Sequence, residues 1–461
     1  MIIGITTFFQ SQTNYGQLLQ AFALQQVLMQ QGHYPYIIRY GFHQPLPFSL
    51  DLSSPVISFD KLLKDRGYVP KRGTADNRHF DDFRKEHLNF SLGAYNSIDE
   101  LQGFPPIADC YITGSDQVWA QLLSIENNRT FFLDFGPKWV RRVAYAPSFS
   151  MDSYPEELRE HLTKNLKRFN GISVREKTGV EICKWAGFDA TWVVDPTMLL
   201  DGDYYRQLGG EDQTVLPSDY MFVYHVNVKS QDLACWPAFN SYNQQKGIKA
   251  IAVHANGENQ PDVEFLSGVE YSYPTIQEWI RLIDGSKYVL TTSFHGMIFA
   301  ILLHKPFFVV LRPESQFAGN DRVLSVLTLL GLQDRIYIDR MDVEQAMTRS
   351  IDWDSIDEKV KYLRGESLSF IKTNIVVLNE VDRANNLKQW IEHFEDSIFL
   401  YIESQSKTKD QLTSLLWENE NLKEQMSLLS RKRRKYKKIS NWLAFAIIVI
   451  VIIFLFYILN K

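Results

Sequence analysis

Four short segments of this 461-residue chain combine residue types that could do chemistry. In Thr291-Thr292-Ser293-Phe294-His295-Gly296, hydroxyl residues lead into a His-Gly pair and then an apolar run. An imidazole exchanges a proton near neutral pH, and a helix starting just behind it offers free amides to an anion. Gly296 would let a ligand approach the backbone closely. In Ser173-Val174-Arg175-Glu176, the arginine could hold a carboxylate or phosphate through two parallel hydrogen bonds, and a structural ion pair is its other use. Gly114-Ser115-Asp116-Gln117-Val118-Trp119 sets small polar groups beside an indole that could stack on a sugar, or else caps the next helix. Thr13-Asn14-Tyr15-Gly16-Gln17 is a tight turn whose following N–H groups could receive an anion or a hydroxyl-rich ligand. His295 and Arg175 are thus the candidates for chemistry, and Asn14, Tyr15, Gly16, Ser115, Asp116, Ser293 and Gly296 those for binding. No His, Cys and carboxylate cluster has metal-ligand spacing, so no metal is expected.

Each segment follows a short apolar run, and such runs alternate with helical patterns along the chain. That alternation predicts parallel sheets covered by helices, in which ligands lie beyond the carboxyl ends of the strands. Met1 to Phe8 reads as a strand, and Gln17 to Gln31 as a helix that places Leu18, Leu19, Phe22, Ala23, Val27 and Leu28 on one face before Gly32 stops it. Tyr36–Tyr40, Ala108–Thr113, Val143–Ala146 and Ile172–Val174 continue the series, with a helix from Pro155 to Phe169 and a looser, polar region from Gln44 to Ser97. Asp195-Pro196 closes a first Rossmann-like lobe over 1–200. A second, over 201–350, repeats the pattern with strands at Tyr220–Val226, Lys249–His254, Tyr288–Thr292 and Phe307–Leu311. Its helices are expected at Ser230–Lys246, Ile276–Asp284 and Met297–Leu303. The fold class is α/β, with two such lobes and a cleft between them.

The end of the chain is different in kind. Residues 351–430 read as helical. Leu412, Asn419 and Met426 share one heptad position and Leu415, Leu422 and Leu429 another, a short coiled-coil pattern compatible with a parallel homodimer or with a helix packed on the body. A basic segment, 431–441, precedes Trp442–Leu459, which has no charge, no Gly and no Pro over the length of a bilayer core. We expect a transmembrane helix there, with the body on the cytoplasmic side by the charge bias. Residues 431–461 hold eight of the 49 Lys/Arg and none of the 54 Asp/Glu, so the body is acidic and a poor partner for nucleic acid. The basic run suits anionic lipid headgroups. Cys110, Cys183 and Cys235 lack any paired spacing, as in a reducing compartment.

Taken in order, TNYGQLLQAFALQQVL, ADCYITGSDQVW, VAYAPSFS, ISVREKTG, VVDPTMLL and TTSFHGMIFAILLHKPFFVVL resemble the polysaccharide pyruvyl transferases, which are similar to two-lobed glycosyltransferases of the GT-B architecture. The resemblance runs from Met1 to about Leu330. It implies transfer of the carboxyvinyl unit of phosphoenolpyruvate onto two hydroxyls of a saccharide, lipid-linked or nucleotide-linked, with no further cofactor. Carried over by motif, Arg175 would hold the donor's anionic groups and His295 would act at the donor as an acid. Some relatives carry an arginine two positions before the histidine, where this chain has Ser293. Donor binding then falls to another cation, for which Lys305, Arg312 and Arg322 are candidates. A nucleotide-sugar glycosyltransferase and a non-catalytic membrane scaffold are the competing functions.

Overall fold

The computed structural model describes residues 1–41, 78–120 and 125–396, the last stretch without 212–216, 218, 229, 256–263, 312–318, 339–340, 377, 380 and 395. It divides into two units, Met1–Trp390 and Ile391–Lys461. Of the second, residues 391–394 and 396 are described and are helical. The coiled-coil heptads, the basic run and the apolar stretch Trp442–Leu459 lie outside the described residues. Among the described residues, no helix is long and apolar enough to cross a membrane.

Two parallel sheets organise the first unit. The first holds β1 (Ile2–Thr6), β2 (Tyr34–Tyr40), β3 (Phe90–Tyr95), β4 (Cys110–Thr113), β5 (Arg141–Ala144), β6 (Gly171–Val174) and β7 (Thr191–Trp192), in the order β3-β2-β1-β4-β5-β6-β7. The second holds β8 (Tyr220–Val226), β9 (Lys249–Ala255), β10 (Glu270–Tyr271), β11 (Tyr288–Thr291) and β12 (Phe307–Val309), in the order β10-β9-β8-β11-β12. Every strand pair is parallel. Covered on both faces, the central strands are buried almost throughout, which is why they read as continuous apolar runs rather than as alternations. Chain order reverses direction at β1/β4 in one sheet and at β8/β11 in the other. Those are the two points where open α/β sheets leave a crevice at their carboxyl edge.

Helices enter directly from those edges. Helix α1 (Tyr15–Gln30) follows β1 and is capped by Asn14, whose side chain accepts from the Gln17 N–H. Helix α2 (Lys177–Trp185) follows β6. Helix α3 (Ile276–Asp284) opens with a capping box of Thr275 and Glu278, and α4 (Phe294–Leu302) follows β11. After α5 (Asn320–Leu330) the chain crosses back to the first lobe through α6 (Trp353–Asn374). There Arg364 donates to the carbonyls of Met198 and Leu200, and the Val194 N–H donates to Ser367 Oγ. Further on, Trp390 Nε1 donates to the Ala108 carbonyl just before β4.

The Gln44–Ser97 region departs from its sequence reading as loose. Its described part contains a helix, Phe80–His87, and the strand β3. The helix buries Phe80 and Phe83 against an otherwise charged sequence, and Gly93 interrupts the alternation that would mark the strand. The stretch Pro155–Phe169 forms a 3-10 turn, Glu156–Leu158, followed by a helix, Arg159–Leu166.

Candidate active site

The four segments meet around a residue that sequence reasoning treated only as a lobe boundary, Asp195. It stands just after the short edge strand β7 and caps a 3-10 turn, Pro196–Leu199. Thr197 donates to Asp195 Oδ1 from its N–H at 3.0 Å and its hydroxyl at 2.8 Å. Ser115 Oγ at 2.7 Å and Arg175 Nη1 at 2.8 Å donate to Oδ2. His295 Nε2 faces Oδ1 at 3.7 Å. The turn itself is held from outside: Tyr145 Oη donates to the Val194 carbonyl and Tyr205 Oη to that of Thr197.

Burial disfavours the charge of this carboxylate, yet it is held well below the usual carboxylate range. His295, Arg175 and the Thr197 N–H together outweigh the lost hydration. Arg175 is likewise pushed up despite complete burial, because Asp195, Asp116 and Glu176 surround it. Its second partner, Asp116 Oδ1, lies 3.4 Å from Nη2. The site's buried core is therefore an ion-paired network.

His295 comes from the second lobe, yet its other side rests on the first. A Cβ built on Gly16 would fall 2.1 Å from His295 Nδ1 and 2.2 Å from Cγ, so only glycine lets the start of α1 lie against the ring. The neighbouring Tyr15 joins the same two lobes. It is fully buried, stacked on Trp279 with centroids 5.1 Å apart, and donates from Oη to the Pro274 carbonyl at 2.6 Å. Residue types at this seam thus follow from how closely the lobes approach.

Several sequence-proposed roles change with this geometry. Arg175 has no exposed guanidinium to offer a donor, since two carboxylates already occupy it; its place is under the site, positioning Asp195. Trp119 is core rather than a sugar platform: it is fully buried, stacked on Phe132, and donates from Nε1 to the Phe131 carbonyl. Gly296 brings a protein atom close rather than a ligand, because its Cβ would meet Thr291 Oγ1 at 2.3 Å. Ser293 spends its hydroxyl as the N-cap of α4, accepting from the Gly296 N–H. Ser115 is buried on Asp195, and Asp116 is nearly so. Asn14 alone of the binding candidates keeps partial exposure, besides capping α1.

Backbone strain gathers at the same edge. Asp116, Ala146 and Ser150 have φ of +77°, +56° and +53°, a region that non-glycine residues seldom occupy, and all three follow the adjacent strands β4 and β5. Asp116 also bridges to Pro147, and the Ser148 N–H donates to the Asp116 carbonyl at 2.8 Å. Such strain survives where surrounding structure overdetermines it, as it does around functional sites. Among the described residues, no group of three or more His, Cys, Asp or Glu could hold a metal ion.

The sequence model of one protein family, described as polysaccharide pyruvyl transferase, matches residues 14–313. No curated protein matches the chain. Similar solved structures include a putative UDP-N-acetylglucosamine 2-epimerase from Listeria monocytogenes, at 9% identity over 81% of this chain and 96% of that chain, TM-score 0.42. An alpha-glucosyltransferase in complex with UDP and DNA shares 11% identity over 81% of this chain and 95% of that chain, TM-score 0.38. At those scores the likeness carries no argument about ligand or reaction.

Proposed function

The chain belongs to the polysaccharide pyruvyl transferase family, and on that premise we propose that it moves the three-carbon unit of phosphoenolpyruvate onto two hydroxyls of a saccharide. The observation that carries this reading is His295, set between Gly16 and Asp195 where the carboxyl edges of both sheets meet. An enol phosphate accepts a nucleophile at C2 once its methylene carbon has gained a proton, so the reaction needs one well-placed acid. Asp195 faces Nε2 and Gly16 lies against the Nδ1 side, and the two together fix the orientation of the ring. His295 gives its proton to the methylene, forming a methyl group and an electrophilic C2. The first sugar hydroxyl adds to C2 and returns its proton to the imidazole. The second hydroxyl then displaces phosphate, which carries its proton away, and the ketal closes.

We place the acceptor at the cytoplasmic face of a membrane, a reading supported by the apolar stretch Trp442–Leu459 and the basic run before it. The test uses the full chain in detergent with phosphoenolpyruvate and lipid-linked saccharides. Phosphate release should depend on the saccharide, and His295→Ala should lower it by about 10²- to 10⁴-fold in protein that still folds. Absence of both donor binding and donor-dependent phosphate release would overturn the reading. Deleting residues from Arg431 onward should leave donor binding intact and depress turnover of the membrane-held acceptor alone.

A further inference from the structure

Helix α2 of the first lobe is not capped by its own N-cap residue. That residue, Glu176, makes no side-chain bond to the helix, and its buried carboxylate turns away to accept from the Phe149 N–H at 2.6 Å. The N–H groups of the first turn are served from the second lobe instead. Asp321 Oδ2 accepts from Thr178 twice, from its N–H at 3.2 Å and from its hydroxyl at 2.7 Å, and Ser325 Oγ accepts from the Lys177 N–H at 3.3 Å. Both acceptors stand on α5, a crossover of the second sheet that leads from β12 to Ile336, which pairs in parallel with Val309. A carboxylate suits a helix N-terminus, where the backbone dipoles favour negative charge. The approach is close. A Cβ on Gly319, which enters α5, would fall 2.9 Å from Ser150 Oγ of the first lobe.

This cap from the opposing lobe is tied to the site. Thr178 comes three positions after Arg175, whose Nη1 holds Asp195 Oδ2 at 2.8 Å, and Asp195 Oδ1 faces His295 Nε2, back in the second lobe, at 3.7 Å. On the second-lobe side, α5 meets α4 at Phe294, the residue before His295. The Phe294 centroid lies 5.2 Å from the Arg175 guanidinium and 5.7 Å from that of Arg322, which follows Asp321. The contacts therefore close a circuit that crosses the lobes at Asp195–His295 and again at Thr178–Asp321. An N–H···O bond spans about 2.7–3.2 Å, so at 3.7 Å a shift of about 0.5 Å decides whether Asp195 holds the imidazole. The cations considered for the donor are engaged or distant. Arg322 donates to Gln117, whose amide is turned to face it, and stands near Glu176; Lys305 follows the far end of α4; Arg312 lies outside the described residues.

We propose that Asp321 is a positioning residue for the reaction: by capping α2 from the opposing lobe, it sets the spacing between Asp195 and His295. The proposal rests on His295 being the acid that protonates phosphoenolpyruvate, and it adds a residue that touches neither the donor nor the imidazole.

The experiment measures kcat and the KM for phosphoenolpyruvate separately, by phosphate release from the full chain in detergent with lipid-linked saccharides. Asp321→Ala and Thr178→Val are expected to lower kcat at least about tenfold and to keep KM within about twofold, since a displacement near 1 Å costs on the order of 100-fold in rate. Thr178→Ser, which keeps the hydroxyl, should stay near wild type. In the His295→Ala background, Asp321→Ala should lower the residual rate no further, because the group it positions is gone. A wild-type kcat in Asp321→Ala or Thr178→Val, an equal loss in Thr178→Ser, a loss confined to KM, or a second full loss on top of His295→Ala would each overturn the proposal while leaving the donor assignment standing. A wild type with no phosphoenolpyruvate-dependent phosphate release would overturn both. Should Asp321→Ala fail to fold, Thr178→Val against Thr178→Ser decides by the same criteria.

Discussion

Gly16→Ala is the most incisive perturbation of the site, because it adds one methyl group at a seam that has no room for it. That methyl carbon would sit 2.1 Å from His295 Nδ1, whereas ordinary contact begins at about 3.4 Å, so ring and helix must part by about 1.3 Å. The methyl points at the ring itself, whose backbone belongs to the packed start of α4. Overpacking of this kind costs about 1–3 kcal/mol of stability. A displacement near 1 Å in a catalytic group costs on the order of 100-fold in rate. Urea unfolding should report the first loss, and phosphoenolpyruvate-dependent phosphate release the second. His295→Ala supplies the control, since removing the ring removes the clash. In a double-mutant cycle the stability cost of Gly16→Ala should largely vanish in the His295→Ala background, giving a coupling of about 1–3 kcal/mol. Additive costs, or a Gly16→Ala protein with full activity, would show that α1 and the imidazole are not in contact and would refute the account of the site.

Other expectations follow from the buried charges and caps. Asp195→Asn should cost about 3–5 kcal/mol in denaturant unfolding, because Arg175 keeps a buried charge with too little to balance it. Since folding lowers the Asp195 pKa, its contribution is fully present above the unfolded value of about 3.9 and is lost as pH falls further, so the variant should flatten only the acid limb of the stability curve. His225 behaves differently: burial first, then the neighbouring His254, bring its pKa down from 6.5 to about 3. Below pH 6.5 the unfolded chain therefore binds the extra proton, and stability should fall by up to about 1.4 kcal/mol per pH unit until about pH 3, a slope that His225→Phe should reduce. Tyr15→Phe leaves the Pro274 carbonyl without its donor and should cost about 1–2 kcal/mol by melting or urea.

How much of this was legible in the chain depends on how local each cause is. The strand-helix alternation was legible, because buried parallel strands and capped helices leave their marks over consecutive residues; Ile276–Asp284 has the bounds its pattern predicts. The four candidate segments do converge, since each follows a strand at a carboxyl edge. Their individual roles were not legible. An arginine at a strand end points outward or inward according to its partners, and those of Arg175 stand 59 and 20 residues away. Asp195 was passed over because Asp-Pro after a two-residue strand has the form of an ordinary turn. The signal that could have found it is the run of buried residues on both sides, Val193-Val194 and Met198-Leu199, which no exposed turn would carry. β3 was hidden by Gly93 and by the charged helix before it.

Tyr15 has a mechanical consequence as well as a packing one. It is clamped in the second lobe by a stack on Trp279 and a hydrogen bond to Pro274, while its backbone begins α1 of the first. A rotation of one lobe against the other that keeps this clamp would turn about the ring, like a door about its pin. Displacement grows with distance from a pivot, so in such a rotation parts far from Tyr15 would move most, while Gly16, one residue from the pin, and His295 against it would scarcely move apart. The contact between α1 and the imidazole would then outlast a rotation that separates the lobes elsewhere.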